Sequence, residues 1–280
     1  MGYAGPAMTA LLTLRDYVLD RDDPRAPTME QWDQMSPEER RRVVDTLPAE
    51  LPLDLFAPEG DLHRKTKAGS LDGLERYFQR IGRKIYLSSE LGVFYPGVAR
   101  FAPDVLAVLD VEPGDRMSWV VAKEGKGLDF VLEVHVAGSF AKDHDENVVR
   151  YAALGIAEYF VFDRGRLSLR GYRLPAAGAR AYRPILPQGG RYPSLVLGLD
   201  LMLQDAKLRF CLGESPLLEA DEIIGKLRGM LDEVLAHKEE DERQAEEARR
   251  QAEEARLRAD ELERQLADAL AEIERLRRGD

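Results

Sequence analysis

The chain has a single cysteine, Cys211, among 280 residues. That excludes an internal disulfide framework and a zinc site built from several thiolates, and it fits a reducing, cytoplasmic setting. There are four histidines, and none has the spacing of a metalloprotease. No apolar run approaches the roughly 20 residues that cross a bilayer. The short mixed segment at 10–14 has no basic stretch before it and acidic residues after it, so we expect no signal peptide and no membrane contact. No glycine-rich phosphate loop, no dinucleotide fingerprint and no serine in a nucleophile elbow is present.

Charge is abundant, at 32% of residues, and the net charge is −11. The acidity is localised. Residues 214–280 carry 12 basic and 21 acidic side chains, whereas residues 1–213 carry 28 and 30. The body is therefore near neutral. It holds a basic cluster at Arg64, Lys65, Lys67, Arg76, Arg80, Arg83 and Lys84. Such a cluster is either a solvated helix face or a phosphate-tracking surface, for which counterion release would supply affinity.

Residues 1–57 read as a helical N-terminal segment and linker. Thr28 caps one short helix, and Ser36-Pro37-Glu38-Glu39 opens another with a serine cap, a proline at the first helical position and a glutamate at the third. Three prolines in 48–60 make that stretch a linker. A nuclease-sized domain is expected over 58–213. It begins with a helix at 61–81, in which Leu71, Leu74, Phe78 and Ile81 recur at helical spacing; His63 and Lys67 extend the stripe backwards. Strands are expected at 84–87, 91–95, 105–109, 128–137, 159–162, 166–173, 194–203 and 207–212, with a helix at 143–154. In 128–137, Phe130, Leu132, Val134 and Val136 share one face, and Asp129, Val131, Glu133 and His135 share the other.

Residues 214–280 differ in kind. Ile223, Ile224, Leu227, Met230, Leu231, Val234 and Leu235 form an amphipathic helix. From Ala245 the apolar positions alternate three and four apart through Leu276, a heptad repeat. Its first five seam residues are alanines, and Leu262, Leu266, Ile273 and Leu276 carry the grip. This tail reads as a coiled coil that pairs two copies of the chain or docks on a protein partner.

One constellation is suited to chemistry. Pro103-Asp104 precedes an apolar strand, and Glu133 follows 29 residues later on the longest one. Metal-dependent phosphodiester hydrolysis needs hard oxygen ligands on a rigid platform, and a magnesium ion there polarises the phosphate and acidifies a bound water. The backbone carbonyl of Val134 is a further candidate ligand.

The runs RFAPDVLAVL at 100–109, LDFVLEV at 128–134 and YAALGIAEYFVFD at 151–163 resemble, in order and spacing, the Uma-type restriction endonuclease family of the PD-(D/E)XK nuclease superfamily. The helix bearing His63 sits where that family carries a histidine-bearing first helix. The resemblance covers about 150 residues, 55–205 of this sequence. It implies an α/β (α+β) restriction-endonuclease-like core, with a mixed central sheet flanked by helices, and a Mg2+ (or Mn2+)-dependent nuclease acting on DNA. Asp104 and Glu133 become its metal ligands.

The sequence departs from the superfamily at the lysine. Two residues after the second acid stands His135, which is able to orient water or accept a proton. The family also supplies the lysine from the following helix, and the matching residue here is Asn147. Lys142 is the nearest basic alternative, and Lys126 lies upstream. Glu90, Glu59 and Asp61 are candidates for an additional acidic ligand, Glu90 foremost. Lys65 and Lys67 read as surface groups. His63 is either a satisfied core residue or a phosphate or water contact. Two functions follow: a metal-dependent endonuclease with Asp104, Glu133, His135, Lys142 and His63 in catalytic roles, or a catalytically silent nuclease-fold module that binds nucleic acid or protein.

Overall fold

The computed structural model describes residues 13–14, 17–49, 60–136 and 145–278. The chain opens with β1 (Thr13–Leu14) and β2 (Tyr17–Val18), then α1 (Met29–Gln34) and α2 (Pro37–Thr46). Both helices start as the sequence predicts, with reciprocal capping boxes at Thr28/Gln31 and Ser36/Glu39. A long helix, α3 (Asp61–Ile81), ends on Gly82 in the left-handed conformation. Then come β3 (Ile85–Ser88), β4 (Val93–Phe94), β5 (Val105–Leu109), β6 (Trp119–Val120), α4 (Val121–Glu124) and β7 (Phe130–His135). The helix α5 (Asn147–Leu154) leads to β8 (Glu158–Asp163), β9 (Ser168–Arg173) and β10 (Arg183–Ile185). Four further strands, β11 (Arg191–Ser194), β12 (Leu199–Gln204), β13 (Lys207–Leu212) and β14 (Ser215–Pro216), precede α6 (Ala220–Arg278).

The central sheet has the order β10-β9-β8-β7-β5-β3. All its pairings are antiparallel except β7 with β8, which α5 joins as a crossover. The sheet is therefore mixed and flanked by helices, as expected. β5, β7 and β8 are buried along their whole length because both faces are covered. One face packs Val105, Ala107, Phe130, Leu132, Val134, Phe160 and Phe162 against Leu74, Tyr77 and Phe78 of α3 and the four-stranded sheet β11-β12-β13-β14. The other packs Leu106, Val108, Val131, Tyr159 and Val161 against Tyr151 of α5, Phe101 and Trp119 of β6. The alternation read from the sequence for β7 is the one observed.

Two expectations are corrected. The strand expected at 194–203 is two strands: Ser194 Oγ accepts the Leu197 amide at 3.0 Å and the Ser194 carbonyl accepts the Gly198 amide at 3.0 Å, closing a turn with Gly198 at φ +67°. Ile81 leaves the apolar stripe of α3 and is exposed; the buried face continues through Tyr77 instead. The N-terminal segment packs on the sheet domain. Tyr17, Leu19, Trp32, Met35, Val43 and Leu47 close a cluster with Phe94 and Val120.

The compact body runs to Glu219, because β14 still pairs with β13, and α6 forms a second unit. Among the described residues no helix is long and apolar enough to cross a membrane. Over 59 residues, α6 spans about 90 Å. Leu262, Leu266 and Ile273 on it are exposed in the single chain.

Within β9, Gly171 faces the Phe160 ring of β8, and a Cβ added there would lie 2.6 Å from it. The ring fills the space that a side chain would need. Gly171→Ala is expected to cost about 1–3 kcal/mol of stability by overpacking, read as a lower urea midpoint at unchanged slope.

Candidate functional site

The pairing of β5 with β7 runs out at Val105 and Leu132. One residue before β5, and one after the last paired residue of β7, stand Asp104 and Glu133. Each carboxylate takes an amide of the other strand. Asp104 N–H donates to Glu133 Oε2 at 3.1 Å, and Val134 N–H donates to Asp104 Oδ2 at 2.8 Å. The acids are thus held together by the backbone of two fully buried strands. The amide and carbonyl of one strand residue share an edge. The Val134 carbonyl is therefore on the Asp104 side, while the His135 carbonyl accepts the Arg164 amide at 2.8 Å on the opposite edge.

Helices reach this pair from both sides. From α3, His63 Nε2 lies 3.1 Å from Asp104 Oδ2, with only 14% of its side chain exposed. From α5, the buried Tyr151 hydroxyl donates to Glu133 Oε1 at 2.7 Å. Burial, and then the negative charge of Glu133, push the Tyr151 hydroxyl far up, so it stays a donor. Burial also pushes the Asp104 carboxyl up, but the His63 hydrogen bond and charge, the Val134 amide and the Lys67 charge outweigh it. Asp104 is held below its ordinary value and is ionised at neutral pH.

Lys67 is placed differently from its sequence reading. It is 4% exposed rather than a surface group, and its ammonium lies 2.5 Å from Glu90 Oε1. Glu90 has a left-handed backbone, φ 53°, and its amide donates to the Pro103 carbonyl at 2.9 Å. Glu90 is thereby fixed beside the residue that precedes Asp104. The sequence did carry a signal: Lys67 is one helical turn from His63 on a stripe that ends in core residues, and a lysine so placed must be paired.

The other candidates scatter. His135 is buried on the same face as Glu133, and its charge acts on Asp163 across the register with β8. Asn147 is buried on α5, one turn before Tyr151. Lys126 is spent elsewhere: its ammonium bonds the Leu109 carbonyl at 2.6 Å and Asp129 at 2.9 Å, at the far end of β5 and about 16 Å from Asp104. Asp61 is exposed and pairs with Arg64. Glu59 and Lys142 lie outside the described residues. In the basic cluster, Arg76 pairs with Asp72, Arg83 with Asp110 and Lys84 with Glu112, as on a solvated surface.

Two carboxylates and a backbone carbonyl are a hard, oxygen-only donor set. Among the described residues no three His, Cys, Asp or Glu side chains converge on one point. An oxygen-only set of this kind suits a hard divalent cation that keeps its own waters.

A family model, Uma2, described as "Putative restriction endonuclease", matches residues 53–206, more than half of the chain. Among solved structures, the chain is similar to one titled a putative nuclease belonging to DUF820 from Anabaena variabilis ATCC 29413. The identity is 14% and the TM-score 0.39, over 51% of this chain and 76% of that one. No curated protein matches.

Tyr151→Phe removes one donor from Glu133 and leaves a buried acceptor short. We expect a loss of about 1–3 kcal/mol in chemical denaturation. A variant as stable as wild type would show that the hydroxyl does not hold Glu133.

Proposed function

The chain belongs to the Uma2 family, and from that membership together with its paired carboxylates we propose that it is a metal-dependent endonuclease hydrolysing phosphodiester bonds of DNA. The observation that carries this reading is the reciprocal hold between Asp104 and Glu133. It presents two acids side by side, one of them kept ionised, where the sheet pairing ends.

Asp104, Glu133 and the Val134 carbonyl would hold Mg2+ or Mn2+. When bound, the ion polarises the scissile phosphate and lowers the pKa of its water. Tyr151 fixes the rotamer of Glu133, and His63 fixes that of Asp104. In the reaction a water oxygen forms the new bond to phosphorus, and the bond to the leaving oxygen breaks. One proton leaves the water and one joins the leaving group. We assign His63, in contact with Asp104, to carry that proton. His135, one residue from the ligands on β7, orients the site from the α5 face. Glu90, ion-paired with Lys67 through Oε1, is the further acidic candidate beside Asp104.

For α6 we assign a second copy of the chain as the partner. The heptad seam is exposed in the monomer, with Leu262 at 61% and Leu266 at 62%. Two-fold dimers are the commonest oligomers, and two sites suit the two strands of a duplex.

Two measurements test the reading. With Mg2+ or Mn2+, the wild type is expected to cut plasmid or single-stranded DNA, and Asp104→Ala and Glu133→Ala to lose roughly a thousandfold in rate. A folded wild type that cuts neither DNA nor RNA with either ion would sink the enzyme and leave a nuclease-fold binding module. Separately, deleting residues 238–280 is expected to leave a folded monomer by light scattering; a dimer surviving the deletion would refute pairing through the seam.

A further inference from the structure

The heptad frame of α6 does not begin at Ala245. Counted backwards in the same steps of three and four, it runs through Asp241, Lys238, Val234, Leu231, Leu227, Ile224 and Ala220. One frame therefore spans the helix, with 224, 231, 238 and 245 at position a and 220, 227, 234 and 241 at position d. Ile224, Leu227, Leu231 and Val234 are exposed in the single chain, as are Leu262, Leu266 and Ile273 further along. Within the frame, Lys238 and Asp241 are the two charged residues. Resting on the reading that α6 pairs with a second copy, we infer that the two helices run parallel and in register, so that both bodies join the pair at the same end.

Charge beside the seam decides the direction. In a parallel pair each g residue meets the e residue five positions on in the second copy. Arg258 then meets Glu263, Glu272 meets Arg277 and His237 meets Glu242, and no such pair brings like charges together. Met230 meets Leu235 and widens the apolar contact. An antiparallel pair sets e against e and g against g. Centred between Glu253 and Glu254, it opposes Arg228 to Arg277, Glu242 to Glu263 and Arg249 to Arg256. Centred between Glu239 and Glu240, it matches Lys238 with Asp241 but opposes Arg228 to Arg249 and leaves Leu262, Leu266 and Ile273 uncovered. It also holds the two starts of α6 about 60 Å apart. The parallel pair covers every apolar position of the frame. Its β-branched Ile224 and Ile273 at a, each followed by leucine at d, are the pattern of a two-stranded coil. Lys238 and Asp241 stand one layer apart, so the four charges of the two chains alternate in sign. In its own chain Lys238 has an exposed pair with Glu242 at 3.6 Å, which is weak. A slip by one heptad would set both charges against apolar residues, so the polar step fixes the register at a cost in stability. The two heptads before Lys238 are too short to pair stably on their own.

The test uses the full chain, with light scattering to show the dimer and mild oxidation to map it. Ala248→Cys, at position d, is expected to link most chains into covalent dimers, because the two copies of that position face each other in a parallel pair. Arg250→Cys, on the outer face, and the wild type, whose Cys211 is buried, are expected to link few. Glu263→Arg is expected to raise the dimer dissociation constant roughly tenfold by facing Arg258, and Arg258→Glu added to it to restore the wild-type value. A dimer in which Ala248→Cys does not link overturns the inference. So does a link between Leu231→Cys and a size-tagged Ala248→Cys, the mark of the antiparallel pair, and so does a dissociation constant unmoved by Glu263→Arg. A wild type that is monomeric in light scattering is a different failure: the pairing itself is then wrong, and the orientation falls with it.

Discussion

Past Leu132, β7 loses its antiparallel neighbour but not its burial, and its amides still need acceptors. Asp104 and Glu133 meet that need by crossing: each carboxylate caps a backbone donor of the opposite strand. The same bonds satisfy acids that would otherwise be costly to bury. Both flanking helices are then fastened to the pair, α3 through His63 and α5 through Tyr151. Removing one acid therefore disturbs a strand end, a helix and the other acid together.

Much of this was legible in the sequence where a local rule governs. The caps at Thr28 and Ser36, the alternation in β7, and the glycine stops after α3 and α5 follow from spacing and residue type alone. Asp104 and Glu133 could be paired only through family resemblance, since acids at strand ends are common. The stripe through His63 marks Lys67 as a lysine that needs a partner, but that partner, Glu90, lies 23 residues away, beyond the reach of a local rule. Spacing alone does not place Lys126, because the register that puts it at the other end of the sheet is a long-range pairing. The break at 195–198 was hidden by an apolar pattern that continues through the turn.

The charge distribution limits how a polyanion is met. The body is close to neutral, and many of its surface arginines and lysines are already opposed by acids. A long-range attractive field is thus absent, and the excess negative charge on residues 214–280 would work against one. Recognition has to be short-ranged, through groups held in place before the ligand arrives.

The residues around the acidic pair come from positions 63, 67, 90, 104, 133 and 151, on three elements and two connecting segments. No fragment of the chain holds the arrangement. During synthesis, at roughly 5–20 residues per second, the ribosome needs on the order of ten seconds to pass from His63 to Tyr151. Through that interval the emerging polypeptide has single acids and a loose helix but no centre. The arrangement is completed only by the closing of long-range contacts, so nothing it does can precede folding.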